Sequence, residues 1–152
     1  MVLYTDAGWN KKWGLFVVTN DFGKIFGYKV FPNKLKNPKF DQLELLAIIS
    51  AIEILKLRSK RTKRPDTILS DSQAAIGLLL NGSTSIKHKF SLALIAQGQR
   101  LFKEHPCNLV WIPRQVNVAG KMVAKLQRHP KRLREGRIRE VFGDLRKKGV
   151  LI

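Results

Sequence analysis

The densest apolar stretch of the chain is Phe40-Asp-Gln-Leu-Glu-Leu-Leu-Ala-Ile-Ile-Ser-Ala-Ile-Glu-Ile-Leu55. Wound as a helix, its apolar positions cover almost the whole circumference, which predicts a helix buried on most sides and running to about Leu57. Glu44 opens one stripe of it, continued by Ile48, Ala51 and Leu55. A carboxylate at the head of a core stripe is costly unless a positive group meets it. Glu53 falls on the opposite side of the helix and reads as an ordinary solvated charge.

Short apolar runs on either side predict strands. Val2-Leu-Tyr-Thr-Asp6 reads as a strand ending on a carboxylate, and Trp13-Gly-Leu-Phe-Val-Val18 and Ile25-Phe-Gly-Tyr-Lys-Val-Phe31 as the next two. The turn Thr19-Asn-Asp-Phe-Gly23 between the latter is short, so those two pair antiparallel. Thr67-Ile-Leu-Ser70 and Asn108-Leu-Val-Trp-Ile112 are further strand candidates. Helices are expected from Asp71 to the stop at Asn81-Gly82, over about 88 to 104, and from about Val118 to the break at Pro130. The buried helix between strands three and four implies a crossover, hence a parallel pair in a partly antiparallel sheet.

Charge changes this picture from a plain α/β domain to one with a particular partner. The chain of 152 residues carries 29 Lys and Arg against 11 Asp and Glu, a net charge of +18. A polyphosphate is the simplest partner for that excess. Arg58-Ser-Lys-Arg-Thr-Lys-Arg64 is a basic loop, so Lys60, Arg61, Lys63 and Arg64 are candidate phosphate contacts, with a solvated connection as the alternative. Residues 129–152 form a separate basic extension beyond a domain of 1–128, with Ile138, Val141, Phe142 and Leu145 at amphipathic helical spacing. The chain has no apolar run of about 18 residues, which excludes a membrane span. It also lacks a signal-peptide pattern, and the expected location is the cytoplasm. One cysteine, Cys107, excludes an internal disulfide and, with three scattered histidines, a zinc site.

Acids are scarce, and three stand at set points of strand one, the buried helix and strand four. Asp6 ends strand one, Asp71 ends strand four, and Glu44 sits early on the helix between them. If strands one and four are neighbours, their ends lie only about 5 Å apart. Carboxylates that close repel one another unless cations join them. Mg²⁺ or Mn²⁺ suits such an oxygen-rich, incompletely filled shell. Taken singly, Asp71 reads as a helix N-cap, Asp6 as a turn residue and Glu44 as an arginine partner. Together they read as a metal site for phosphodiester hydrolysis.

Four stretches resemble the ribonuclease H superfamily, close to the type I arrangement. They are Tyr4-Thr-Asp-Ala-Gly8, Leu43-Glu-Leu-Leu-Ala47, Leu69-Ser-Asp-Ser-Gln73, and Trp111-Ile-Pro-Arg-Gln-Val-Asn117 with Ala124. The resemblance spans about residues 2 to 126. It implies an α/β fold with a five-stranded mixed sheet, three antiparallel strands and then parallel ones, flanked by helices. It further implies hydrolysis of a nucleic-acid strand, often RNA in an RNA–DNA hybrid, with Asp6, Glu44 and Asp71 as metal ligands. By match, Asp6 and Asp71 would contact both ions or the bridging position, and Glu44 the ion nearer the leaving group.

The chain departs from the family at three places. After the last strand it reads Asn117-Val-Ala-Gly-Lys121, with lysine where a fourth carboxylate is expected. An ammonium cannot ligate a metal. Lys121 then either takes over part of the work of one ion, or contacts the backbone beside a two-metal site, or marks a degenerate site. The family's flexible histidine has no counterpart, since Pro113-Arg114-Gln115 fills that loop. The Asn pair that helps type I enzymes read the hybrid is replaced by Lys39-Phe40-Asp41-Gln42. Asn10, Gln73, Arg114 and Asn117 remain as candidate nucleic-acid contacts, and Lys121 joins the three acids as a candidate catalytic residue.

Three functions follow as expectations: a nuclease cutting RNA in hybrids, a Holliday-junction-type endonuclease acting on branched DNA, or a binding domain that has lost its metals. Junction cleavage favours a dimer and hybrid cleavage a monomer.

Overall fold

Alternation along the first two strands decides how the layers stack. β1 (Val2–Trp9) and β2 (Gly14–Asn20) pair antiparallel, with Tyr4 opposite Thr19 and Asp6 opposite Val17. Along β2, Phe16 and Val18 belong to one apolar cluster, and Leu15 and Val17 to another. All four are fully buried. Successive strand side chains point to opposite faces, so β2 feeds two cores at once. That explains why this stretch reads as a continuous apolar run rather than an alternating one.

The computed structural model describes residues 1–9, 14–22, 25–30, 40–58, 65–82 and 89–128. β3 (Ile25–Val30) pairs antiparallel with β2. β4 (Thr67–Ser70) lies parallel to β1, and β5 (Asn108–Trp111) parallel to β4. The sheet order is β3-β2-β1-β4-β5. The crossover expected from the sequence is thus present, and it makes β1 the central neighbour of β4.

α1 (Phe40–Arg58) packs on one face of this sheet, against β1, β2 and β4. α2 (Gln73–Asn81) and α3 (Lys89–Glu104) pack on α1. α1 is therefore covered by sheet on one side and helices on the other, and residues 42–55 are all buried. Truncating one of its wholly buried side chains, such as Leu46→Ala, costs ~2–5 kcal/mol. Glu53 corrects the sequence reading: it is 6% exposed, not solvated. A helix enclosed on every side has no polar face to give it.

α4 (Val118–Arg128) covers the other face, over β1 and β2. Ala119, Val123 and Leu126 meet Leu15 and Val17 there. Gly8 lets the helix approach β1: a Cβ on it would come within 2.7 Å of Val123 Cγ1. Among the described residues no helix is long and apolar enough to cross a membrane.

Several boundaries differ from expectation: β2 runs on to Asn20 through residues read as a turn, β5 stops at Trp111, and two more bear on the site. β1 runs on to Trp9 rather than ending at Asp6, because its ladder with β2 continues to Trp9–Gly14. Its parallel ladder with β4 stops at Thr5–Ser70. α2 begins at Gln73, not Asp71, because Ser72 is the N-cap and its hydroxyl accepts from Ala75 N at 3.1 Å. Gly82 ends α2 at φ 68°, donating its N–H to Leu78 O at 2.9 Å.

Candidate active site

The parallel ladder ends one residue short of two acids. Thr5 pairs with Ser70, so Asp6 and Asp71 are the next residues of their strands at the same level of the sheet. There β4 gives way to α2 while β1 continues to pair with β2. Since Ser72 does the capping, the Asp71 side chain is not spent on α2. α1 delivers Glu44 to the same place. Asp6, Glu44 and Asp71 each offer an oxygen, and these lie within 4.8 Å of one another.

Asp6 is 7% exposed and Glu44 0%, whereas Asp71 is half-buried. Both Glu44 carboxyl oxygens are buried without a well-formed hydrogen bond, although Asp6 and the Ala7 backbone act on the titration of the group. A buried polar atom left unpaired costs ~1–3 kcal/mol, and more if charged. Burial pushes the Glu44 carboxyl up to about 9, helped by the charges of Asp6 and Asp71. Asp6 is raised to about 6, by burial first and Asp71 second, while the Arg114 guanidinium acts in the opposite direction. The three acids thus resist full ionisation at this spot unless a proton or a hard divalent cation relieves them. The donor set and the two orphaned oxygens fit such an ion.

The remaining expected residues are distributed as follows. Gln73 starts α2 and is exposed, and Arg114 is exposed on a 3₁₀ turn, Arg114–Val116, after β5. Lys121 is exposed on the first turn of α4. Gly120, just before it, abuts the site: a Cβ there would meet Asp6 Oδ2 at 3.4 Å. Asn10, Lys60, Arg61, Lys63 and Arg64 lie outside the described residues, as does the extension 129–152.

Asn117 corrects the sequence reading. It is 0% exposed, so an internal role replaces the nucleic-acid contact expected of it. Its amide donates to Thr5 O at 3.0 Å and to Asp71 Oδ2 at 3.2 Å, and its carbonyl oxygen accepts from Ala119 N at 3.1 Å. One side chain therefore caps α4, ties it to β1 and orients a candidate ligand. The signal was present, because an Asn directly before an amphipathic helix is an N-cap pattern. Trp111 was read only as part of a motif, yet its indole N–H donates to Asp71 O at 3.2 Å.

No protein-family model matches the chain, and neither does any curated protein. Solved structures do match in shape. The RNase H1 of the halophilic archaeon Halobacterium salinarum NRC-1 superposes with a TM-score of 0.61 at 15% identity, covering 85% of this chain and 97% of that one. LC11-RNase H1 in complex with an RNA/DNA hybrid gives 0.57 at 18% identity, over 80% of this chain and 91% of its own. The same LC11 enzyme, isolated from compost by a metagenomic approach, gives 0.58 at 20% identity, over 82% and 92%. At such identities the shared property is the architecture, and the strand order, the crossover and the placing of α1 agree with it: the chain has a ribonuclease H-like fold.

Proposed function

We propose that this protein is a metal-dependent nuclease that hydrolyses the RNA strand of RNA–DNA hybrids. One observation carries the reading: Glu44 brings two buried, unpartnered carboxyl oxygens into a cluster with Asp6 and Asp71. Without an ion such a cluster must hold a proton, and a divalent cation relieves it without one. The structural neighbour solved with an RNA/DNA hybrid supports the substrate class, and so does the +18 charge.

Asp6, Glu44 and Asp71 would hold Mg²⁺ or Mn²⁺. A bound divalent ion, or a pair of them, supplies an activated water and stabilises negative charge on the phosphate. The protein's own contribution is positional. Asn117 keeps one Asp71 oxygen directed by hydrogen bonding, and the β1–β4 register keeps Asp6 level with it. Arg114 favours the ionised form of Asp6, and its exposed guanidinium would meet a phosphate.

The test uses Mg²⁺ or Mn²⁺ and three labelled substrates: hybrid, duplex DNA and a four-way junction. Cleavage of the RNA strand of the hybrid is the expected result. Cutting confined to the junction would reassign the substrate to branched DNA, and binding without product under either metal would make the protein a binding domain.

A further inference from the structure

α4 carries two opposed faces. Ala119, Val123 and Leu126 are buried against Leu15 and Val17. Lys121, Lys125 and Arg128 are exposed, at i, i+4 and i+7. Such positions share one side of a helix. Among the described residues the ion pairs gather on Asp66 and Glu104, and none involves these three cations. Arg128 donates Nε–H to Ala124 O at 3.3 Å, within its own helix. The stripe starts at the carboxylate site, because Gly120 abuts Asp6 and Lys121 follows it.

We propose that this face of α4 is a phosphate track, along which Lys121, Lys125 and Arg128 hold successive phosphates of one nucleic-acid strand beside the acids. The idea rests on the nuclease reading for its substrate class, and names the surface that guides it. Seven residues of helix rise ~10 Å. Three successive phosphates of one strand are two steps of ~3.4 Å apart along a duplex axis, a shorter span that long lysine and arginine side chains can reach from this row. Lysine at 121 then has a positive reason to stand there. It begins a row of cations, where a fourth acid would repel the first phosphate. The apolar face fixes the helix that carries the row, so only the long side chains need ordering on binding.

The experiment compares the parent chain, the double variant K125Q/R128Q and the control K103Q. Lys103 is an exposed cation on α3. Each is titrated with a fluorescent RNA–DNA hybrid in metal-free buffer, over a series of salt concentrations. Each lost phosphate contact lowers the slope of log affinity against log salt by ~0.9. The double variant should therefore lose ~1.8 from that slope and bind more weakly at low salt, while K103Q matches the parent. A slope unchanged in K125Q/R128Q, or lowered equally by K103Q, overturns the track. Melting curves confirm that all three chains are folded. The two ideas fail separately: a slope lost in K125Q/R128Q with a parent that never cleaves keeps the track and loses the nuclease, and a parent that cleaves with no slope lost in K125Q/R128Q does the reverse.

Discussion

The two ends of the parallel strands handle buried acid in opposite ways. At the start of β4, Asp66 is 5% exposed. The Met1 ammonium meets its Oδ1 at 2.9 Å, and the His105 ring Nε2 meets Oδ2 at 2.9 Å. Both oxygens are answered from within the chain, and backbone bonds from Thr67 N to Met1 O and from Asn108 N to Asp66 O close the same corner. At the far end of the same strands, Asp6, Glu44 and Asp71 converge, and both Glu44 oxygens stay unpartnered. Burial alone therefore does not mark a candidate ligand. Glu44 differs from Asp66 in that no well-formed bond from the chain meets its oxygens.

The largest expected effect separates these ends by activity. Asp71→Asn should lower hybrid cleavage by roughly 10³-fold or more, since a ligand to the catalytic ion contributes several kcal/mol to the transition state. Asp66→Asn should leave turnover per folded molecule unchanged. Cleavage assays on both variants decide the point, and equal losses would erase the distinction.

Metal and pH sharpen it next. An ion that binds only the folded chain stabilises it by ~2.7 kcal/mol at a hundred times its dissociation constant. Thermal melts with and without Mn²⁺ should show this in the parent and little of it in Glu44→Gln. Without metal the folded chain holds protons more tightly at the open end, with Glu44 raised from 4.5 to about 9 and Asp6 from 3.8 to about 6. For a raised carboxyl, the folded state binds more protons than the unfolded one. The stability it contributes is complete below the unfolded values and is lost as pH rises through the folded ones. Metal-free Glu44→Gln should therefore gain on the parent as pH climbs from about 5 to about 9. The Mn²⁺ increment in the parent should grow over the same window, because protons and metal compete for the same oxygens. A difference that is flat with pH would mean that Glu44 does not titrate in this range.

At the closed end the expected loss is one of stability. Asp66→Asn removes charge-assisted bonds to Met1 and His105, each of a kind worth ~1.5–3 kcal/mol. Met1 and His105 are 39% and 24% exposed, so water recovers part of that, leaving a net cost of about 2 kcal/mol. Denaturant titration measures it. A cost near zero would show that this corner is held by the backbone bonds alone.

The open end was legible in the sequence for a physical reason. Asp6, Glu44 and Asp71 each sit at a defined point of a strongly patterned element, and a parallel β1–β4 pair forces two of them together. The closed end was not. Asp66 lies in a short polar link, and its partners, the first residue of the chain and His105, are distant in sequence. Glu53 was misread because a helix that is apolar all round gives no clue that its second carboxylate is also enclosed. Asn117 was misread because a motif match suggested an outward role, while its capping position determined an inward one. Strand ends slipped where pairing continues on one edge only, as at β1.

Lys121 provides the smallest and most specific test of the comparison, because it stands at the rim of the open end without answering its charge. Its chain neighbour Gly120 borders Asp6, yet Lys121 itself is exposed. Replacing it by an acid asks whether that rim can be made into part of the metal shell. Lys121→Asp removes one positive charge and adds an oxygen donor beside three others. Metal affinity, read by calorimetry, should rise about tenfold, which corresponds to ~1.4 kcal/mol. The same change removes the first cation of the proposed track, so hybrid affinity in metal-free buffer should fall, and its salt slope should drop by ~0.9. Opposite movements of metal and hybrid affinity are the signature of a lysine that belongs to the phosphate and not to the ion. If metal affinity stays fixed, position 121 is not where a fourth ligand can reach, and the open end is completed by its three acids alone.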